Sequence, residues 1–309
     1  MAGVSTKAIK LRIKSMESTR QITKAMELVA ASKLRSAQAR AIASRPYFGA
    51  LYEAMNEIYN SSPSFASPYI SSPKTGKPLF IVIAGDRGLA GGYNNNVLKI
   101  AYAAIEKQDA VVLPIGKKAL EFIQRRGCEI LTEEYAEAGE ITSEDCALVA
   151  ETIAKGFLSG KFNQISLYYT NFVSMLSQAP AGIDLLPIQP KADGAQKKNI
   201  IYETGSESIF NAIVPNYIGG LLYGALCESL ASEQAARRTA MDAASKNAQE
   251  IIEDLNLSYN RARQGAITQV SLRSWQAATN LERSDSFVQS EHWHCHTGRW
   301  TCSGHSFPG

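Results

Sequence analysis

The sequence predicts an α/β protein in which two long helices, one from each end of the chain, pair antiparallel around an inserted α/β domain. Three observations predict it. Residues 5–59 repeat apolar side chains at helical spacing, with no glycine from residue 4 to residue 48. Residues 78–190 alternate buried-strand runs with helical stretches. From Ser206 to at least Gln269 a second long helical pattern returns, with small residues along its seam.

In the first helix, Ser5 or Thr6 supplies the N-cap. Its apolar stripe is Ile9, Ile13 and Met16, then Ile22, Met26, Val29 and Leu34, in steps of three and four. Pro46 predicts a kink. Fifty helical residues reach ~75 Å, longer than a compact domain needs. The stripe must therefore be covered by a second long helix or by a partner protein.

Residues 60–77 are a Ser/Pro-rich linker. Three strand runs follow, Leu79–Ile83, Val111–Ile115 and Ile165–Tyr169, with helices over 93–107, 116–126 and 143–160 between them. That alternation argues for a parallel sheet with helices packed on it. A second linker covers 191–205, polar from Lys191 to Lys198. The last helix covers 206–269, and Pro215 predicts a break with a fresh start near Asn216. Its seam is Ala225, Ser229, Ser232, Ala236, Ala240, Ala243 and Ala244, then Ile251, Ile252, Leu255 and Tyr259. Small seam residues let two helices approach closely. An ordinary helical bundle would need a further long helix, which the chain does not offer.

The composition narrows the function classes. Hydrophobic residues are 45% and charged residues 20%, as in an ordinary globular protein. A net charge of +3 is too small to argue for nucleic acid. Residues 1–45 nevertheless hold ten Lys or Arg against only Glu17 and Glu27. Such a face is usually solvated, but it also suits an acidic partner. No apolar stretch reaches the ~18 residues of a membrane span. The N-terminus lacks the apolar core of a secretory signal. Five cysteines without framework spacing fit a reducing compartment.

The most conspicuous motif is GDRGLAGGYN, residues 85–94, with Gly85, Gly88, Gly91 and Gly92 between a strand and a helix. A phosphate-cradling loop sits at such a place. This one matches neither GxGxxG nor GxxxxGK[ST], and has no Lys-Ser/Thr for phosphate and magnesium. The plainer reading is a structural turn whose glycines allow positive φ. A second motif, YNRARQGAITQ, sets Arg263, Gln264 and Thr268 near one helical face. Polar groups there are usually solvated; on a shaft they would grip a surrounding ring. A third, residues 21–33, is an amphipathic helix carrying Lys24 and Met26. Catalytic constellations are lacking, since all four histidines fall in the last eighteen residues. His292, His294, Cys295, His296, Cys302 and His305 are metal-ligand types, but their spacing fits no standard zinc module. No cofactor or metal is expected.

Together the segments ITKAMELVAASKLRSAQ, GDRGLAGGYN, ESLASEQAARRTAM and YNRARQGAIT resemble the gamma subunit of F-type ATP synthases over about residues 2–269, in the family's order. The resemblance implies an asymmetric antiparallel coiled coil plus a Rossmann-like domain. It implies a rotor, not an enzyme, standing inside a ring of alpha and beta subunits, with the α/β domain near the epsilon subunit and the c-subunit ring. Proton flow would turn the rotor, whose contacts drive the catalytic sites of the ring through different states. Lys24 and Met26, with Arg263, Gln264 and Thr268, would face the beta-subunit lever loop, acidic in the family. The resemblance also implies a peripheral place on the cytoplasmic side of the cell membrane. The long insertion and cysteine pair of the chloroplast form are missing, so the chain looks bacterial. Two rival readings are a nucleotide-binding protein using the α/β domain and a basic coiled-coil adaptor for an acidic or nucleic-acid partner.

After Gln269 the resemblance stops. The family continues roughly E-I-T-E-I-V-x-G, whereas the chain reads V-S-L-R-S-W-Q-A-A. Permitted codons for that stretch, read from the third base of the first, give I-T-E-I-V-A-G-G, and Ser284-Asp285 in that frame permits a stop. Residues 270–309 are accordingly expected to be an out-of-frame, disordered tail.

Overall fold

The computed structural model describes residues 6–61, 66–189 and 205–289. Its elements are α1 (Thr6–Ser61), β1 (Lys77–Ile83), α2 (Tyr93–Ile105), β2 (Val111–Ile115), α3 (Lys117–Arg126), β3 (Glu129–Ile130), α4 (Ser143–Leu158), β4 (Phe162–Phe172), β5 (Gln178–Leu186) and α5 (Ser206–Gln289). The described residues form two compact units: 19–248, and 6–18 with 249–289.

In the larger unit the sheet order is β3-β2-β1-β4-β5. The first four strands run parallel and β5 is antiparallel to β4. Alternation along β1 divides the core. Leu79, Ile81 and Ile83 point into a cluster with α4, Met55 and Ile58 of α1, and Phe210, Val214, Ile218, Leu222 and Leu226 of α5. Phe80 and Val82 point into a second cluster under α2 and α3. The sheet is thus sandwiched, and one of its two covering layers is made partly from the long helices themselves. Pro114 is tolerated inside β2 because β3 reaches only as far as Val112. A capping box starts α4: Thr142 Oγ1 accepts the Asp145 N–H at 3.3 Å, and the Asp145 carboxylate accepts the Thr142 N–H at 2.8 Å.

Within the same unit, α1 and α5 run antiparallel. Thr23 meets Ser245, Leu34 and Ala37 pack with Ala231 and Ala235, and Tyr52 stacks on Tyr217 at 6.1 Å between centroids. Thr23 Oγ1 donates to the Arg20 carbonyl at 3.0 Å, so it accepts from Ser245 Oγ at 2.7 Å. The inward positions on α1 are Thr23, Glu27, Ala30, Leu34, Ala37, Ala41 and Ser44, an unbroken alternation of four and three. That is a seven-residue repeat, the pattern of two helices winding on each other. In the smaller unit Ile9 of α1 and Ile252 of α5 are buried, with Ile13, Met16, Leu255 and Tyr259 half-buried.

The structure corrects several expectations. Ile22 and Val29 are exposed by 60% and 57%, so the seam passes through Thr23 and Ala30 instead. Ala243 and Ile251 likewise face outward, and Met241, Ala248 and Ile252 take the seam. Pro215 does not break α5. A proline inside a helix costs about 3 kcal/mol, while burying a Val, Ile or Phe side chain returns about 1.5–3 kcal/mol. Phe210, Val214 and Ile218, buried around it, hold the helix together. That same apolar run makes α5 long and apolar enough to cross a bilayer by composition, contrary to expectation, but its large side chains fill the sheet core. β3 and β5 were not expected, and β5 makes the sheet mixed. Finally, α5 continues to Gln289, so residues 270–289 are helical rather than disordered. Residues 290–309, with the tail histidines and cysteines, and most of the second linker lie outside the described residues.

Two substitutions separate the observed seam from the one expected. Leu34→Ala, in the buried cluster, should lower the unfolding free energy of the isolated chain by about 2–4 kcal/mol. Ile22→Ala should change it by less than about 0.5 kcal/mol. Urea titration followed by far-ultraviolet circular dichroism measures both.

Candidate functional site

The sheet's topological switch point lies where β1 and β4 part, the place where open α/β sheets bind ligands. The turn 84–92 leaves β1 there and enters α2. Here it is filled by the protein's own α5.

Two sets of contacts do this. The first is at the edge of β4. β1 pairs with β4 only as far as Tyr168. Beyond that the N–H and C=O of Thr170 would be orphaned, at a cost of about 1–3 kcal/mol each if buried unpaired. Ser229 Oγ accepts the Thr170 N–H at 3.1 Å, and Ser232 Oγ donates to the Thr170 carbonyl at 3.2 Å. These are two of the seam serines identified in the sequence. They face the sheet, not the other helix.

The second set is an ionic latch. Glu233 and Arg237 of α5, one helical turn apart, form a buried pair at 2.5 Å with side-chain exposures of 5% and 11%. The Arg237 guanidinium also donates to the carbonyls of Gly88, at 3.2 Å, and Arg87, at 3.4 Å. Gly85 lies so close to Glu233 that a Cβ there would stand 2.8 Å from its carboxyl carbon. Asn94 Oδ1 accepts the Gly85 N–H at 2.9 Å, and its amide donates to the Arg87 carbonyl at 3.3 Å. Asp86 faces the other way and accepts the N–H groups of Ala138 at 2.8 Å and Gly139 at 3.1 Å. Tyr93, with Ser229 beside its hydroxyl, closes the cluster from α2.

Desolvation by burial raises the Glu233 carboxyl above the usual range, although Arg237 pulls it down. Burial, with the Glu233 charge nearby, drives the Tyr93 phenol upward as well. Neither phosphate nor nucleotide suits such a place. A carboxylate sits against the first glycine, a second carboxylate is adjacent, and the turn offers carbonyls that are already occupied by a guanidinium. The glycine argument is corrected in the same stroke. Of the four glycines only Gly91 has positive φ, 57°; the other left-handed residue is Leu89, at 63°. Gly85 is required by the approach of Glu233, not by its backbone angle.

The remaining site residues lie on the helices. Lys24 is exposed and paired with Glu27 at 2.8 Å. Met26 is half-buried. Across from them the Asp242 carboxyl is held below its usual range by its bond from Lys246, with Lys24 adding to the effect. These belong to the larger unit. Arg263, Gln264 and Thr268 belong to the smaller one, all exposed, and Thr268 Oγ1 donates to the Gln264 carbonyl at 3.0 Å. Arg263 borders a hollow of about 310 Å³ with Thr6, Tyr259, Ala266, Ile267 and Val270. Sequence reasoning missed Glu233, Arg237, Asp86 and Asn94. The signal was present: a Glu-x-x-x-Arg pair amid the smallest side chains of α5.

Among the described residues no group of His, Cys, Asp and Glu side chains is placed to hold a metal. Burial pushes the Cys146 thiol up to about 12 and raises Cys227 as well, which makes both poor nucleophiles.

The ATP synthase family profile matches residues 5–270, ending where the sequence changes character. The ATP synthase gamma chain of Ruminococcus albus is 45% identical over 269 residues, covering 85% of this chain and 94% of that one. That of Lachnoclostridium phytofermentans is 40% identical over 277 residues, covering 86% and 95%. Among solved structures, a chain of the Euglena gracilis mitochondrial ATP synthase OSCP/F1/c-ring assembly aligns with a TM-score of 0.62, covering 96% of this chain and 99% of that one at 16% identity. A chain from the Tetrahymena thermophila mitochondrial ATP synthase central stalk and c-ring gives 0.52 at 23% identity, covering 72% and 99%. At those identities the structures speak for the fold.

Removing Arg237 should expose the ionic logic of the latch. Arg237→Ala leaves Glu233 buried without its cation, at a cost of about 3 kcal/mol near neutral pH. A carboxyl whose folded pKa is raised stabilises the fold below its unfolded value and loses that contribution as pH rises. The penalty of Arg237→Ala should therefore be largest near pH 7 and shrink toward pH 5, as read from urea titrations at each pH.

Proposed function

The chain belongs to the ATP synthase gamma chain family, and from that premise we propose that it is the non-catalytic central rotor subunit of the complex, turning within a ring of alpha and beta subunits. The observation that carries this reading is the joining of two long, antiparallel helices to a sheet domain whose ligand position is taken by one of those helices. Such a body has a rigid mechanical connection where an enzyme of this topology would have a substrate site. The nucleotide-binding reading is disfavoured for the same reason.

The surface supports a role inside a ring. Leu28, Ile22 and Val29 of α1, and Leu257 and Ile267 of α5, are more than half exposed. Apolar side chains in that number outside the seam suit a partner surface. Lys24 and Met26, and Arg263, Gln264 and Thr268 on the other helix, are the groups we assign to the acidic lever loop of the beta subunit. In this reading the sheet domain meets the epsilon subunit and the c-subunit ring. The complex places the chain peripherally at the cytoplasmic side of the cell membrane, with no span and no nucleic-acid partner of its own. We also assign residues 270–309 to an out-of-frame extension, because the family match ends at residue 270, within one residue of where the codon argument begins.

Mixing the purified chain with alpha and beta subunits tests the reading. A stable complex with ATPase activity is expected; failure to co-assemble would sink it. Repeating the assay without residues 270–309 measures what the extension does. Lys24→Glu should weaken activity more at low than at high salt, since a lever-loop contact is partly screened. For the extension, sequencing the coding DNA is decisive: codons that cannot yield I-T-E-I-V when read from the third base of the Val270 codon exclude the frameshift.

A further inference from the structure

We propose that the Glu233–Arg237 pair, seated against Gly85 and the carbonyls of Arg87 and Gly88, is the joint through which turning of the sheet domain passes to the long helices. Both side chains are then positioning residues for rotary coupling. The inference rests on the rotor reading and adds the place where the domain grips the helix.

Three features carry it. Most of the α5 surface against the sheet is apolar: Phe210, Val214, Ile218, Leu222 and Leu226. Apolar contact is non-directional and resists sliding or rolling weakly. Glu207 and Asn211 bond the loop at Ala66 and Ser67, but the directional contacts of α5 with the parallel strands and the turn leaving β1 gather further along, at Ser229, Ser232, Glu233 and Arg237. The serines grip β4 and the ionic pair grips the turn leaving β1, so the helix is held from the two central parallel strands at once.

Slack is also missing. Glu233 packs against Gly85 closely enough to exclude even a methyl group. Asp86, next in the chain, ties the turn on to Ala138 and Gly139, and Asn94 ties it to α2. Lys33 of α1 lies within electrostatic reach of Glu233, which brings the other long helix to the same point. A displacement of the sheet domain must therefore strain hydrogen bonds before the helix can lag behind.

The choice of chemistry is the third feature. An apolar pair of equal volume would serve stability as well or better than a buried ion pair. What ions add is fixed geometry, because a guanidinium with carboxylate and carbonyl acceptors has one satisfactory orientation. A joint under alternating load needs orientation more than it needs affinity.

The test uses the complete membrane-bound complex in sealed vesicles, built with the wild-type chain, Arg237→Lys, Arg237→Gln or Asn94→Ala. ATP hydrolysis and ATP-driven proton uptake are measured on the same vesicles. The expected result is a fall of at least about threefold in protons moved per ATP hydrolysed for Arg237→Gln. Smaller falls are expected for Arg237→Lys, which keeps the charge, and Asn94→Ala, which leaves the ion pair in place. Leu113→Ala, in the sheet core away from the latch, is the control for lost stability. An unchanged ratio in the assembled variants overturns the inference, as does an equal fall in Leu113→Ala. If Arg237→Gln does not assemble, the Arg237→Lys and Asn94→Ala ratios decide alone. Failure of the wild-type chain to assemble or to support proton uptake would instead reject the rotor reading.

Discussion

A strand that loses its partner must find another, and in this protein that requirement decides where the long helix goes. β4 outruns β1 by several residues, and the sheet's central edge would lie open there. Two serines of α5 close it by taking both main-chain groups of Thr170. One turn further on, Glu233 and Arg237 fill the adjoining turn. The helix is therefore not merely laid on the sheet. It completes the hydrogen bonding of the sheet's switch point, and the position of everything else on α5 within that unit follows from it.

Much of this organisation is legible in the sequence. Runs such as Leu79–Ile83 and Val111–Ile115 can be read as buried strands because both faces of the sheet are covered. The two long helices follow from periodicity and the lack of glycine. What periodicity misplaces is the seam, by one residue. Counting apolar residues selects Ile22 and Val29, whereas the structure buries Thr23 and Ala30. The reason is physical. Close helix approach favours small side chains, and Thr23 satisfies its hydroxyl against Ser245 across the seam. The larger apolar residues are left on the outside, where an isolated chain has no use for them. β5 was illegible for a different reason: Pro180 and Gly182 sit inside it, and an edge strand tolerates both.

The site was legible only in outline. The glycine turn announces itself in the sequence, and its lack of a phosphate-binding lysine argues against nucleotide. What occupies it could not be read, because Glu233 and Arg237 lie about 150 residues downstream, in a stretch of α5 whose other buried residues, Ala231, Ser232 and Ala235, are small. A Glu and an Arg four apart on a helix ordinarily mean a solvated surface pair worth a few tenths of a kcal/mol. Only burial turns such a pair into something that needs explaining.

That explanation connects the two halves of the argument. The seam between α1 and α5 is built largely from alanine, with Thr23 against Ser245 and only Leu34 and Met241 as large buried side chains, so modest apolar area holds the helices to each other along it. Their exposed leucines, isoleucines and valines do nothing for the isolated chain. A helical pair made this way is close-packed and narrow, and it keeps its large side chains for a surrounding surface. The cost is weak lateral attachment, since small residues bury little area. Directional groups placed at one point, where the sheet domain can hold α5 through main-chain carbonyls and a buried charge, offset that weakness without widening the pair. The same compromise explains why an ionic latch persists at a position where apolar packing would have been the more stabilising choice.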